Sequence, residues 1–295
     1  MISTIIVNYN AGSLLGKCVE SLLNSSFEVE IIVVDNASTD GSLNALHDVP
    51  FIKILKNPTN MGFAAACNSG ARVASAPFLL FINPDCSFKP NALADLFESL
   101  TIDEQVGMVG GLLANSDGTE QAGGRRAVPT PWRSFVRAVG LVNFSDRWPR
   151  LFYDFHLHKQ PLPDHAIEVE AISGACMMVK REAMQDVGEW DEGYFLHCED
   201  LDWCMRFRQK GWKILFVSSA QITHVLGVCS RSRPLFVEWH KHKGMMRFYR
   251  KFFRYQYPGL LMVLVSTGVW LRFGLVATHY LVKRVWRNLE LMGHS

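Results

Sequence analysis

The sequence predicts an α/β fold built on a mainly parallel, doubly wound (Rossmann-like) central sheet, with a basic and apolar helical extension at its C-terminal end. Three observations predict it. Short apolar, β-branched runs alternate with helical patterns through the N-terminal third of the chain. Hydrophobic residues make up 48% of the 295, enough for one large core. Charge divides unevenly, with 18 Lys+Arg against 26 Asp+Glu in residues 1–230 and 12 against 2 in residues 231–295. The expected organisation is therefore a catalytic domain over 1–230 and a membrane-associating tail over 231–295, each facing different partners.

The first strand is expected from Thr4 to Asn8. It follows Met1 so closely, with no basic n-region, long apolar stretch or cleavage site, that this end reads as a strand and not as a signal peptide. Helices near 12–24, 39–47, 62–75 and 90–100 then alternate with strands Glu30–Asp35, Phe51–Lys56, Pro77–Asn83 and Gly107–Leu112. A sheet of this kind holds its ligand at the carboxyl ends of the strands. Asn8, Asp35 and Asp85 each follow an apolar run, so the topology gathers them on one edge.

Residues 114–168 break the rhythm with Asn115-Ser-Asp-Gly118, Gly123-Gly-Arg-Arg126 and five prolines (Pro129, Pro131, Pro149, Pro161, Pro163), and read as mobile loops near an acceptor site. Order returns with a strand Ala171–Lys180, a short helix, the acidic segment His197–Asp202, a helix to about Gly211 and a strand Lys213–Val217. The basic run His240–Arg254 leads through Pro258 into apolar Gly259–Val282. A spanning helix needs roughly 20 uninterrupted apolar residues, and Arg272 stands near the middle of this one, so an interfacial or re-entrant helix pair fits better than a clean span. Flanking lysines and arginines suit the anionic cytoplasmic leaflet of the inner (plasma) membrane. The alternative is a C-terminal helix buried on the domain or on a dimer partner.

Several function classes are excluded. Nucleic acid needs a surface basic throughout its footprint, and residues 1–230 are acidic. No G-x-G-x-x-G follows the first strand, which disfavours a dinucleotide oxidoreductase, and no glycine-rich basic triphosphate loop marks a nucleotidyltransferase. The seven cysteines, odd in number and without a CxxC pair, read as reduced thiols of a cytosolic domain.

The remaining candidates carry carboxylate and amide chemistry. Asp35 ends Ile31-Ile-Val-Val-Asp35, where a carboxylate serves either as a turn cap or as acceptor for the N3 hydrogen of uracil or thymine. Asn60-Met-Gly-Phe63 precedes the helix carrying Asn68 and Gly70, so that Asn60, the backbone of Gly62 and Asn68 could approach a base or a diphosphate. Asp85 stands after a fully apolar strand and Pro84, placed to offer an oxygen to a hard divalent cation, Mg²⁺ or Mn²⁺. Glu199, Asp200 and Asp202 open a helix whose dipole favours carboxylates. With Trp190, Tyr194, Phe195 and Trp203 nearby they look like a sugar site in which a carboxylate takes the acceptor's proton. His224, after apolar Ile222, is either a satisfied core histidine or a further metal ligand.

In order along residues 3 to 230, Ile5-Ile-Val-Asn-Tyr-Asn10, Val33-Val-Asp-Asn-Ala-Ser-Thr-Asp-Gly41, Asn60-Met-Gly-Phe63 with Asn68-Ser-Gly70, Asn83-Pro-Asp85, Gly174-Ala-Cys-Met177, Glu199-Asp-Leu-Asp-Trp-Cys-Met-Arg206 and His224-Val-Leu-Gly-Val-Cys-Ser230 resemble the motifs of family 2 glycosyltransferases of the GT-A fold. The similarity is greatest to the bacterial rhamnosyltransferase-like branch that builds cell-surface polysaccharides. The resemblance implies Asp35 as the pyrimidine contact, with Asn8, Asn10, Asn60, Gly62, Asn68 and Asn83 around the donor. It implies Asp85 and His224 as metal ligands and Asp200 as general base, with Glu199 as the substitute. Many relatives carry Asp-x-Asp where this chain has Asn83-Pro-Asp85, which leaves fewer carboxylates for the ion. The implied reaction is an inverting transfer from a dTDP- or UDP-sugar, rhamnose from dTDP-rhamnose first and a UDP-hexose as the alternative, to a saccharide or lipid-linked oligosaccharide acceptor. A reading from another class is a catalytically silent, membrane-docked scaffold.

Overall fold

The computed structural model describes residues 1–47, 49–225 and 233–293, with side chains of 284–293 excepted. The last part of the His224–Ser230 motif, residues 226–230, lies outside the described residues. In chain order the strands are β1 (Ile2–Asn8), β2 (Val29–Asp35), β3 (Ile52–Lys56), β4 (Phe78–Ile82), β5 (Cys86–Phe88), β6 (Val106–Ala114), β7 (Arg125–Arg126), β8 (Ile167–Glu168), β9 (Ala171–Ile172), β10 (Cys176–Lys180) and β11 (Lys213–His224). The helices are α1 (Leu14–Leu23), α2 (Phe63–Val73), α3 (Ala92–Thr101), α4 (Pro131–Ala138), α5 (Arg181–Val187), α6 (Glu199–Gln209), α7 (Pro234–Phe253) and α8 (Gly259–Gly293).

Nine strands form one sheet in the order β3-β2-β1-β4-β10-β6-β11-β5, with β8 paired to β11. From β3 to β4 every pairing is parallel. β10 then enters antiparallel between β4 and β6, and β11 runs parallel to β6. The carboxyl ends of β1, β2, β3, β4, β6 and β11 therefore share one edge, to which β10 contributes its amino end. Side chains alternate across the pleat. Ile5, Val7, Ile32, Val34, Leu79 and Phe81 enter the core under α2, α6 and α7, while Ile2, Ile6, Ile31, Val33, Leu80 and Ile82 enter the one under α1 and α3.

Three local departures from expectation have plain causes. The helix expected at 39–47 is a short 3-10 turn, Ser42–Leu46, entered through left-handed Gly41. β11 continues seven residues past Val217 because a bulge between Val217 and Gln221 restores its pairing with β6. The stretch 114–168 contains α4, capped by the Thr130 side chain and opened by Pro131.

The acidic-to-basic boundary near 230 is not a packing boundary. α7 carries most of the basic run, yet it buries Met246, Phe248, Tyr249, Phe252 and Phe253 in the core that holds Ile5 and Phe81. Lys251 reaches across to the buried Asp202 of α6 at 2.7 Å and to Asp191 at 2.7 Å. What leaves the domain is α8, one continuous 35-residue helix and not a re-entrant pair. Its Gly259–Lys283 segment has mean hydropathy 1.9, is apolar and long enough to cross a membrane, and is exposed apart from a face with Met262, Val265, Val269 and Trp270 against the core. α8 folds back along α7, so that Trp239 meets Trp270 and Phe273, and the Arg272 guanidinium lies 3.3 Å from His242 Nε2.

Replacing Phe248 by alanine is expected to cost about 3–5 kcal/mol in urea unfolding, the penalty of an unfilled aromatic site in a core. A helix merely trailing from the domain would register less than about 0.5 kcal/mol.

Candidate active site

Asn8 and Asp35 are register partners at the ends of β1 and β2. Asn8 Nδ2 donates to Asp35 Oδ1 and lies near Ser42 Oγ, both at 2.8 Å. Asp35 Oδ2 accepts the Ser38 backbone N–H at 3.2 Å. Asn10, in the left-handed region at φ 53°, closes the same loop: its N–H donates to Ser38 Oγ, and its Oδ1 accepts the Thr39 N–H at 2.8 Å. Amide N–H groups alone hold this buried carboxylate, so its remaining lone pairs can accept a hydrogen from a ligand.

Next along the edge, Asn60 Oδ1 accepts the Gly62 N–H at 3.0 Å, and Asn36 Nδ2 donates to the Gly62 carbonyl at 3.0 Å. Gly62 has φ +89°, and a Cβ there would stand 2.7 Å from the Phe195 carbonyl oxygen, so only glycine fits. Asn68 is placed differently. Its two amide hydrogens go to the Trp190 carbonyl at 3.0 Å and Glu192 Oε1 at 2.8 Å, and its Oδ1 accepts the Trp190 N–H. It staples α2 to the 188–193 segment.

At the ends of β4 and β11, Asp85 Oδ1 and His224 Nε2 face each other at 3.2 Å, both nearly buried. Gln121 decides the histidine's orientation. Its Nε2 donates to the Asn115 side chain and to the His224 carbonyl, both at 3.1 Å, which turns Oε1 toward His224 Nδ1 at 2.6 Å. Nδ1 must then carry the hydrogen, and Nε2 points at the carboxylate. Two acceptors at that separation require a proton or a cation between them, and Asp85 Oδ1 has no hydrogen-bond partner. Asp85, Cys86 and His224 are a potential metal-holding group, with ligand atoms within 4.8 Å of one another. Carboxylate oxygen and imidazole nitrogen suit a divalent ion, whereas Cys86 Sγ is turned to the Ala175 carbonyl. Asn83 lies two residues before Asp85, with its N–H on the Ala175 carbonyl at 3.0 Å.

The acidic segment meets the sheet edge at the amino end of β10, where Gly174 lies. His197 and Cys198 are consecutive left-handed residues, at φ 69° and 70°, a turn that costs of order 1–3 kcal/mol per residue and sets the start of α6. Asp200 accepts N–H groups from Gly174 at 3.1 Å and Leu201 at 2.8 Å, and forms an ion pair with Arg126. Glu199 is buried, and its Oε2 has no partner. Burial, then the neighbouring Asp200 charge, pushes its carboxyl up to about 8. Its surroundings thus favour the neutral form of the carboxyl. Asp202 is fully buried and structural, held by Arg206 Nε at 2.7 Å, Tyr194 Oη at 3.1 Å and Lys251.

Two corrections follow. The aromatic residues expected to flank a sugar are mostly core: Trp190 and Trp203 stack at 4.2 Å and, like Tyr194, are buried, leaving only Phe195 partly exposed. Arg126 and Gln121, which the sequence offered only as parts of a loop, contact the candidate residues Asp200 and His224. The Arg125-Arg126 pair was the available signal for the first, since strand alternation sends Arg125 to Glu120 at 2.8 Å and Arg126 to Asp200.

Residues 3–188 match the sequence model of Glycosyl transferase family 2, and residues 123–292 that of Glycosyl transferase family group 2. Over 237 residues the chain is 28% identical to N-acetylglucosaminyl-diphospho-decaprenol L-rhamnosyltransferase of Mycobacterium tuberculosis, covering 76% of each protein. It is 23% identical to the low-salt glycan biosynthesis hexosyltransferase Agl10 of Haloferax volcanii, over 72% of this chain and 63% of that protein. The mannosyltransferase PcManGT from Pyrobaculum calidifontis, solved in complex with GDP-Man and Mn²⁺, superposes with TM-score 0.59 at 16% identity, over 91% of this chain and 69% of that one. GalNAc-T7, solved with UDP, GalNAc and Mn²⁺, superposes with TM-score 0.56 at 18% identity; the match spans 76% of this chain but only 43% of that structure. The fold is the GT-A fold that the motifs imply.

Glu199 offers a pH test. Its folded value lies above that of a free glutamate, so its contribution to stability is present below about pH 4.5 and is lost as pH rises through about 8. Glu199→Gln should therefore flatten the fall in melting temperature between about pH 5 and pH 9 relative to wild type. An unchanged slope would show that Glu199 ionises normally.

Proposed function

Because this chain belongs to glycosyl transferase family 2 and is a glycosyltransferase acting from a nucleotide-sugar donor, we propose that it transfers a sugar with inversion, rhamnose from dTDP-rhamnose first, to a lipid-linked saccharide of cell-surface polysaccharide synthesis. The observation that carries the proposal is the single sheet edge on which the Asn8–Asp35 pair, the Asp85–His224 pair and Asp200 converge from opposite sides of β10. The mycobacterial relative, a rhamnosyltransferase by name with a lipid-linked diphospho-sugar as acceptor, supports both sugar and acceptor class. The exposed apolar face of α8 supports action at a membrane surface, at its cytoplasmic side.

In this reading Asp35 accepts the pyrimidine N3 hydrogen, with Asn8 and the Asn10 loop holding the carboxylate in place. Asn60 and Gly62 bring backbone close to the donor, and Asn83 adds an amide. Asp85 and His224 would hold a divalent ion, Mg²⁺ or Mn²⁺, whose charge, when bound, neutralises the diphosphate. Asp200 removes the proton from the acceptor hydroxyl as its oxygen bonds to the anomeric carbon. The bond from that carbon to the donor phosphate breaks on the opposite side, so the configuration inverts and no sugar–enzyme bond forms. Arg126 positions Asp200, sharing its Oδ2 with the Gly174 N–H and leaving Oδ1 directed by Leu201.

Full-length protein given dTDP-rhamnose, UDP-GlcNAc or UDP-galactose with a prenyl-diphosphate-linked GlcNAc acceptor should consume dTDP-rhamnose and yield the inverted linkage by NMR. Turnover of a UDP-sugar alone would move the donor assignment to the UDP-hexose alternative. Asp200→Asn should lower kcat by about 10²- to 10⁴-fold while leaving donor affinity within about twofold of wild type. Comparable activity in that variant would remove Asp200 from the role of base, and inactivity of the wild-type protein on every donor would favour the silent scaffold.

A further inference from the structure

Where α8 leaves the domain it forms, with the end of α7, an open groove of about 1020 Å³. Its length is apolar, lined by Met262, Val263, Trp270 and Leu271, and Gly274 leaves one wall without a side chain. Its mouth carries Arg250 and Arg254. Among the described residues neither guanidinium has a carboxylate partner, although the neighbouring Arg247 and Lys251 are both paired with Asp191. Ser266 and Thr267 also line the groove, and both hydroxyls are spent on their own helix, on the Met262 carbonyl at 2.7 Å and the Val263 carbonyl at 3.0 Å. Those two hydroxyls are therefore satisfied within the helix, as a hydrocarbon surrounding requires.

One end is doubly cationic and the remainder apolar, which is the polarity of a single amphiphile and not of a second helix. We propose that this groove is a binding site for an anionic phospholipid of the bilayer, the headgroup phosphate between Arg250 and Arg254 and one acyl chain along Met262, Ser266, Trp270 and Gly274. Bidentate guanidinium–phosphate contacts suit the mouth. The site lies at the amino end of the apolar Gly259–Lys283 segment, the level at which that helix would enter the interface. The inference concerns lipid retention and is independent of which sugar is transferred.

The test is native mass spectrometry of full-length protein extracted from nanodiscs of mixed phosphatidylcholine and phosphatidylglycerol. Wild type should retain one phosphatidylglycerol in preference to phosphatidylcholine. Arg250→Ala/Arg254→Ala should reduce retention roughly twenty-five-fold, the product of about fivefold per basic residue at an anionic interface. Gly274→Trp, where an added Cβ meets open space, should block the chain and abolish retention with both arginines intact. Lys241→Ala/Lys243→Ala removes the same charge from α7 away from the groove and should leave retention within about twofold. Equal loss in that control, unchanged retention in Gly274→Trp, no preference for phosphatidylglycerol, or a dimer that displaces the lipid would each overturn the proposal.

Discussion

Strand direction is the constraint on which the rest of this molecule depends. With β1, β2, β4, β6 and β11 all pointing the same way, five segments widely separated in sequence deliver Asn8, Asp35, Asp85, Gln121 and His224 to one edge. The single reversed strand between them, β10, serves the same end. It brings its amino end to that edge, and with it Gly174, whose missing side chain lets Asp200 approach: an added Cβ would lie 3.2 Å from Asp200 Cβ.

The helix that carries Glu199 and Asp200, α6, is braced from behind by charge. Asp202 has no exposure, and its partners Arg206, Tyr194 and Lys251 come from its own helix, the preceding loop and α7. Asp191 binds Arg247 and Lys251 of α7 as well, and hydrogen bonds from them hold its carboxyl at about 2 although burial pushes the other way. Removing one partner of a buried pair of this kind costs about 3–5 kcal/mol, because a charge is left behind without compensation. α7 is thus part of the frame that holds Glu199 and Asp200, and α8 packs along it.

Much of this arrangement was legible in the sequence, and the parts that were not share a reason. Asp35 and Asp85 could be found because each follows an uninterrupted apolar strand, and a carboxylate in such a place is already unusual. His224 could be placed once its strand was extended through a bulge that no local pattern announces. Gln121 and Arg126 were hidden because their importance lies entirely in partners 103 and 74 residues away. The role of α7 was masked by composition: its lysines and arginines dominate a count of charge, while Met246, Phe248, Tyr249, Phe252 and Phe253 form the face that decides where it packs. Trp190 and Trp203 misled in the opposite sense, since aromatic side chains beside acids suit a sugar platform and a core equally well until burial is known.

The most direct test of the central claim, that the shared strand edge binds a nucleotide diphosphate through an ion held by Asp85 and His224, is calorimetric titration of the protein with dTDP, UDP, GDP and ADP, with and without Mn²⁺. The account predicts binding of dTDP or UDP that requires the metal and disappears in Asp85→Ala, in protein that still melts cooperatively. Binding that is indifferent to Mn²⁺ and to Asp85, or no nucleotide binding in folded protein, would contradict it.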